Sequence, residues 1–150
     1  MESCSLTDII KQKLTYGSSF LFIDEIIKVD SDCIEGCYTF SGNEFFYKDH
    51  FVNNPVIPGV IILEMMGQVG MISHIAWLMH VSNNKNKFFP LMTNCSVDYF
   101  QQVRTKERMI VKGRKKYLRN NLFRSSVELF NPAGEIVARA DALVKIIIEN

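Results

Sequence analysis

His50-Phe51-Val52-Asn53-Asn54-Pro55-Val56-Ile57-Pro58-Gly59 leads into an apolar run that continues almost unbroken to Met79, just before His80. From Gly59 to Met79 the only polar side chains are Glu64, Gln68, Ser73 and His74. A surface helix needs a wide polar face opposite its apolar stripe, and these residues do not make one. The run predicts a buried helix, with the rest of the chain as its cover. Pro58 suits a helix start, because its missing N–H would have no partner in the first turn, so the helix begins at Pro58 or Gly59. About 22 residues at 1.5 Å each give a helix of about 33 Å, long enough to cross a bilayer. Against a membrane span stand Glu64, Gln68 and His74 inside the run, Gly67 and Gly70 spaced for close backbone contact, and the lack of a second candidate span.

Working outward, Ser5-Leu6-Thr7-Asp8 has the form of a capping box ahead of Ile9, Ile10 and Leu14, so a short helix opens the chain and Gly17-Ser18-Ser19 ends it. Residues 20–29 and 33–40 are rich in apolar, β-branched and aromatic side chains, and Asp30-Ser31-Asp32 between them is turn chemistry, which predicts a β-hairpin. Residues 41–55 form a loop whose Phe45, Phe46 and Tyr47 call for an apolar surface to pack on. After the polar residues 81–87, stretches 91–100, 108–117, 122–130 and 136–148 read as strands, the last pair joined by Asn131-Pro132-Ala133-Gly134. In the final stretch Ile136, Ala138, Ala140, Ala142, Val144, Ile146 and Ile148 alternate with Arg139, Asp141 and Lys145, the period of a strand with one buried face. Two strands, one long buried helix and four more strands predict a single α+β domain over residues 1–150, with a curved antiparallel β-sheet wrapped around a long central helix.

A chain of 150 residues can bury a complete core, and 47% hydrophobic with 22% charged residues is ordinary globular composition. The net charge of +1 is uninformative, but nine of the 17 Lys and Arg residues fall between Arg104 and Arg124, with Glu107 the one acid among them. Aromatic residues are not interleaved with that segment beyond Tyr117 and Phe123, so nucleic acid is not the expected partner. Cys4, Cys33, Cys37 and Cys95 show no metal-ligand spacing and read as small buried hydrophobes. Residues 1–8 lack the basic start and apolar run of a secretory signal, so a cytoplasmic location is expected.

Glu64 most needs explaining, since an ionised carboxylate in an apolar helix is costly unless paired or protonated, and a protonated one can act as a general acid. The plainer account has Glu64 hydrogen-bonding Gln68 at i+4, closing a polar contact at a helix or subunit interface. His50, on the aromatic loop, is either solvated or backbone-bonded, or else a base. A helix start at Pro58-Gly59 offers free backbone N–H groups and a positive dipole end that polarise a carbonyl oxygen. A base, an acid and an oxyanion donor would then converge.

His50-Phe51, then Pro55-Val56-Ile57-Pro58-Gly59-Val60-Ile61-Ile62-Leu63-Glu64 and Met66-Gly67-Gln68, together resemble the signature of FabZ-type (3R)-hydroxyacyl-[acyl-carrier-protein] dehydratases. The resemblance also takes in Phe20-Leu21-Phe22-Ile23-Asp24. It implies the hotdog fold, a dimer joined edge to edge, and a site at the dimer interface with His50 from one subunit and Glu64 from the other. On that resemblance His50 removes a C2 proton, Glu64 protonates the departing C3 hydroxyl, the Gly59 N–H holds the thioester carbonyl and Gln68 orients Glu64. It implies no cofactor, a substrate carried on the phosphopantetheine of acyl carrier protein, and a homodimer, a trimer of dimers or a heterodimer with another hotdog subunit. A glutamate at position 64, where the isomerase-competent sister family has aspartate, implies dehydration without double-bond isomerisation.

The chain departs from the family pattern at three places. Val52-Asn53 replaces Pro-Gly after His-Phe, with Asn53 or Asn54 available for a left-handed turn, and Asp49 beside His50 either raises its basicity or points to solvent. Residues 14–20 and 98–103 replace motifs that border the substrate tunnel in the resembling enzymes, which points to a specialised lipid, polyketide or polyene pathway beside housekeeping fatty-acid synthesis. The basic segment is either a mating surface for an acidic carrier protein or a solvated strand pair whose lysines blunt a sheet edge. Two alternatives stand beside a dehydratase: an acyl-thioesterase of the same fold, and a non-catalytic acyl-binding partner subunit of a heteromeric dehydratase.

Overall fold

The computed structural model describes residues 3–149; Met1, Glu2 and Asn150, at the ends of the expected 1–150 domain, lie outside the described residues. Helix α1 (Leu6–Lys11) is held by the expected box: Ser5 Oγ accepts from the Asp8 N–H at 3.1 Å, and the Asp8 carboxylate accepts from the Ser5 N–H at 3.3 Å. Strands β1 (Glu25–Val29) and β2 (Cys33–Thr39) pair as the predicted antiparallel hairpin. The turn closes on the Asp30 carboxylate, which accepts from the N–H groups of Asp32 and Cys33, both at 2.8 Å.

Strand β1 begins five residues later than position 20, and the reason lies in the central helix. The Phe22 N–H donates to Gln68 Oε1 at 2.7 Å and the Phe20 carbonyl accepts from Gln68 Nε2 at 2.9 Å, so a side chain satisfies backbone groups that a strand would have paired.

Helix α2 (Gly59–Gly67) starts at the expected place and α3 (Ser73–Val81) continues it, so 23 residues run as one rod. Between them Gln68–Ile72 form a wider π turn, which the apolar periodicity does not reveal. Ser73 Oγ donates to the Gln68 carbonyl there at 2.7 Å. By length and composition this rod is apolar enough to cross a membrane, yet most of it is packed inside the protein.

Strands β3 (Lys87–Tyr99), β4 (Arg108–Arg119), β5 (Leu122–Phe130) and β6 (Ile136–Glu149) complete a six-stranded antiparallel sheet in the order β1-β2-β4-β5-β6-β3. The sheet wraps the rod in the hotdog arrangement, with Met65, Met66, Val69 and Ala76 fully buried against Val111, Leu129 and Val137. Strands β4 and β5 lie in the middle of the order, and β2 pairs with β4 only over residues 108–114, so Lys112 flanks no edge while the 115–119 end of β4 runs past β2. Lys116 and Arg124 pair with Asp141, the latter at 2.7 Å, and Arg108 pairs with Glu25 at 3.6 Å. The free edges are β1 and β3.

His74 ties α3 to the hairpin turn, its Nε2 lying 2.8 Å from the Asp30 carbonyl. It is fully buried, packs edge-on against Phe123, and its Nδ1 has no partner. Burial lowers its pKa below the ordinary 6.5; Lys115 acts the same way, while the Asp30 carbonyl and the Asp30 and Asp32 carboxylates oppose it. With the folded pKa depressed, the unfolded chain takes up the proton first as pH falls through 6.5, so acid removes stability. The slope from this one group reaches at most about 1.4 kcal/mol per pH unit. His74→Gln is expected to reduce the stability difference between pH 7.5 and pH 5.5, read by urea denaturation, and an unchanged difference would refute that role.

Candidate active site

The middle of α2 places Glu64 on the wall of a cavity of about 250 Å³, lined also by Tyr16, Gly67, Gln68, Phe89 and Met92. Gln68 is fully buried and its side chain makes three hydrogen bonds. Its Nε2 donates to Glu64 Oε1 at 2.9 Å as well as to the Phe20 carbonyl, and its Oε1 accepts from the Phe22 N–H. This fixes the amide orientation and aims the Glu64 carboxyl. The i+4 hydrogen bond of the plainer account is present, and the same Glu64 lines the cavity. Replacing Gln68 by Leu strands the Phe22 N–H and the Phe20 carbonyl, which costs about 2–4 kcal/mol by the usual penalty for unmade buried bonds. Urea denaturation of Gln68→Leu tests this; wild-type stability would show that the amide is not a structural clamp.

Tyr16 shares the cavity, in the 14–20 segment that the resemblance sets beside the substrate tunnel, although nothing in the sequence singles out its side chain. Burial first and the nearby Glu64 charge second push its phenol well above the ordinary range, so it stays an O–H donor.

At the helix start the first intrahelical bonds come from the Ile61 and Ile62 N–H groups to the Pro58 carbonyl, both at 3.0 Å. The N–H groups of Gly59 and Val60 precede them and face outward from the positive end of the rod. Tyr99 covers this turn: its hydroxyl donates to the Gly59 carbonyl, and a Cβ on Gly59 would lie 3.3 Å from its ring. Tyr99 lies in the 98–103 segment, which the resemblance sets beside the tunnel, but its contact with the helix start joins residues 40 positions apart and has no local signal in the sequence.

His50 stands at the end of a short 3-10 turn, Tyr47–Asp49, with its ring stacked on Phe51 at 4.1 Å between centroids. Its Nδ1 lies 3.2 Å from the Val56 carbonyl, and the Val56 N–H donates to the His50 carbonyl at 2.7 Å. A proton held on Nδ1 by that carbonyl leaves Nε2 with its lone pair, the form a base needs. The loop that presents it turns at Asn53, which takes a left-handed φ of 63°, as the replacement of glycine suggests. Asp49 is exposed, and the nitrogen contact of His50 goes to Val56, so the solvent-pointing account of Asp49 holds.

Within one chain the Glu64 cavity is lined without His50. The surroundings of both are unusually apolar for a surface: Phe51, Val52 and Val60 are 57%, 75% and 75% exposed, and edge strand β3 exposes Phe89, Leu91 and Met92. Among the described residues there is no group of three or more His, Cys, Asp or Glu that could hold a metal ion.

Comparison with known proteins places these residues in context. The FabA-like domain family matches residues 14–138. The 3-hydroxyacyl-[acyl-carrier-protein] dehydratase FabZ of Syntrophobacter fumaroxidans is 32% identical over 133 residues, covering 89% of this chain and 88% of that protein. The bifunctional enzyme LpxC/FabZ of Porphyromonas gingivalis is 48% identical over 61 residues, which cover 41% of this chain and 13% of that protein. A match to the Staphylococcus epidermidis FabZ spans about half of its length, 52%. Among solved structures, the dehydratase heterocomplex ApeI:P from Xenorhabdus doucetiae superposes with a TM-score of 0.78 at 11% identity, over 94% of this chain and 91% of that one. On the family match and the near full-length relative, the chain belongs to the FabZ-type 3-hydroxyacyl-[acyl-carrier-protein] dehydratases of the FabA-like family.

Proposed function

We propose that the protein is a lyase that converts a (3R)-hydroxyacyl group, carried on the phosphopantetheine of acyl carrier protein, to the trans-2-enoyl form. The observation that carries this reading is Glu64, clamped by Gln68 and lining a cavity one helical stretch beyond the N–H of Gly59 at the helix start. His50 Nε2 takes a proton from C2, and the Gly59 N–H stabilises the charge that builds on the thioester oxygen, an effect worth about 3 kcal/mol for one such donor. Glu64, as the carboxylic acid, protonates the C3 hydroxyl. The C3–O bond breaks, water leaves and C2=C3 forms, after which the proton on His50 returns to Glu64. No cofactor enters this balance.

The site belongs to a pair of subunits in this proposal. The bare β3 edge and the apolar skin around His50 support a second hotdog chain placed so that its His50 meets the first chain's Glu64. That chain is a second copy or a related subunit, the latter supported by the heterocomplex neighbour. Exposed Arg104 and Lys106, in the connection ahead of β4, supply positive charge for an acidic carrier protein. A cytoplasmic location is part of the same proposal and is supported by Cys4, Cys33, Cys37 and Cys95, all free thiols.

Purified protein incubated with a carrier-bound 3-hydroxyacyl substrate should yield the enoyl thioester, seen as loss of one water by mass spectrometry. Free acid and thiol instead would assign a thioesterase. Product formed only after a second hotdog chain from the same cell is added would assign a non-catalytic acyl-binding partner subunit, and no product with any substrate in either case would overturn the dehydratase reading.

A further inference from the structure

Gly67 has a helical backbone, φ −63° and ψ −46°, in the middle of the rod. A glycine there costs about 1 kcal/mol of helix stability relative to alanine, so something should require it. Packing within the chain does not. A Cβ built on Gly67 meets nothing within 4 Å, whereas one on Gly70 would lie 2.7 Å from Val127 Cγ1 and one on Gly36 would lie 2.6 Å from Val69 Cγ1. Those two glycines are needed to let backbone approach the sheet; Gly67 borders open space, and that space is the Glu64 cavity.

Its place along the rod gives the space a purpose. In the proposed reaction the thioester carbonyl lies at Gly59 and C3 at Glu64. Gly67 is about 4.5 Å further along the axis at 1.5 Å per residue, and Met71 and Ile72 line the cavity beyond it. Tyr16 and Phe89 form part of the remaining wall. An acyl chain that continues past C4 therefore has to cross the spot where a side chain on residue 67 would project. A chain that stops at C4 does not reach it.

We infer that Gly67 is the specificity-determining residue of this cavity. Its missing side chain is the passage for the acyl tail, and the substrates are 3-hydroxyacyl thioesters of medium or greater chain length. This rests on the dehydratase reading, so the test uses two readouts. Gly67→Leu should lower kcat/KM for 3-hydroxydecanoyl thioester relative to 3-hydroxybutyryl thioester by about tenfold or more, the scale of a lost apolar subsite. Gly67→Ala should melt no lower than the parent protein and keep its oligomeric state. Calorimetric binding of decanoyl- and butyryl-pantetheine, which needs no turnover, should show the same loss of preference in Gly67→Leu. If turnover is absent but the binding preference shifts, the cavity assignment stands and the dehydratase reading falls. If Gly67→Leu affects both chain lengths by one factor, or Gly67→Ala lowers the melting temperature or splits the oligomer, Gly67 is a packing contact and the inference is overturned.

Discussion

His50→Ala is expected to lower kcat/KM for a carrier-bound 3-hydroxyacyl substrate by about 10²–10⁴-fold, the range for removing a general base, and to leave the melting temperature almost unchanged. The small stability effect follows from what the ring touches: one backbone carbonyl, Val56, and the exposed Phe51. Glu64→Gln should lose activity on the same scale, because the amide keeps a partner for Gln68 but has no acidic proton for the departing hydroxyl. The two inactive variants also test where the site lies. If His50 of one subunit serves Glu64 of another, dissociating and mixing them equally gives dimers half of which carry one intact site, so activity should return to roughly a quarter of the parental level. No recovery from verified mixed dimers would sink the shared-site arrangement, and an equal loss of stability in His50→Ala would recast that residue as structural.

Much of the fold is legible in the sequence because local and tertiary demands agree. The run 59–79 reads as buried because it has no polar face, and 136–148 as a strand with one buried face because its apolar residues alternate. The Ser5 box and the Asp30 turn are chemically self-contained and appear as read. What the sequence conceals depends on partners far along the chain. Gln68 reaches back 46 residues to the Phe22 N–H and shortens the first strand, although residues 20–24 have strand-like composition. The π turn is hidden because an almost wholly apolar run fits any helical period. The central position of the basic strands follows from β4 pairing with β2, a long-range choice that charge does not signal.

The candidate site divides in the same way. Glu64 and the helix start stand out locally, one as an acid among apolar residues and the other as a Pro-Gly junction. Gln68 at i+4 from Glu64 is foreseeable from helix geometry, and the bond forms at 2.9 Å. Tyr16 and Tyr99 lie in the two segments that stand in for tunnel-bordering motifs, but their particular contacts arise only through folding of distant segments. The partnership of His50 with Glu64 that we propose joins two chains, so the surroundings of neither residue within one chain signal it.

Gly113→Ala is expected to destabilise the protein by more than about 3 kcal/mol, beyond the usual range for overpacking a core. Gly113 sits in β4 opposite Ile34 of β2 and Val127 of β5, on the face where the rod crosses the sheet. A Cβ there would fall 2.1 Å from the Gly70 carbonyl oxygen and 3.0 Å from Ile34 Cγ2. The nearest obstacle, the Gly70 carbonyl, is backbone, so no rotamer change relieves it. Strand β4 is hydrogen-bonded to two neighbours, and Gly70 belongs to the π turn, so the rod itself must lift from the sheet. Lifting it opens the contacts of Met66 and Val69 and drags Gln68 away from Phe20 and Phe22, so the Glu64 clamp loosens with the core. At about 2–4 °C per kcal/mol for a chain of this size, the melting temperature should fall by roughly 6–12 °C. Gly17→Ala, where a Cβ meets nothing within 4 Å, is the control and should stay within about 0.5 kcal/mol of the parent. Equal melting of the two variants would mean that helix and sheet do not meet backbone to backbone at Gly70 and Gly113. A deeper fall in activity than in folded fraction for Gly113→Ala would instead show that the rod's seat on the sheet sets the aim of Glu64.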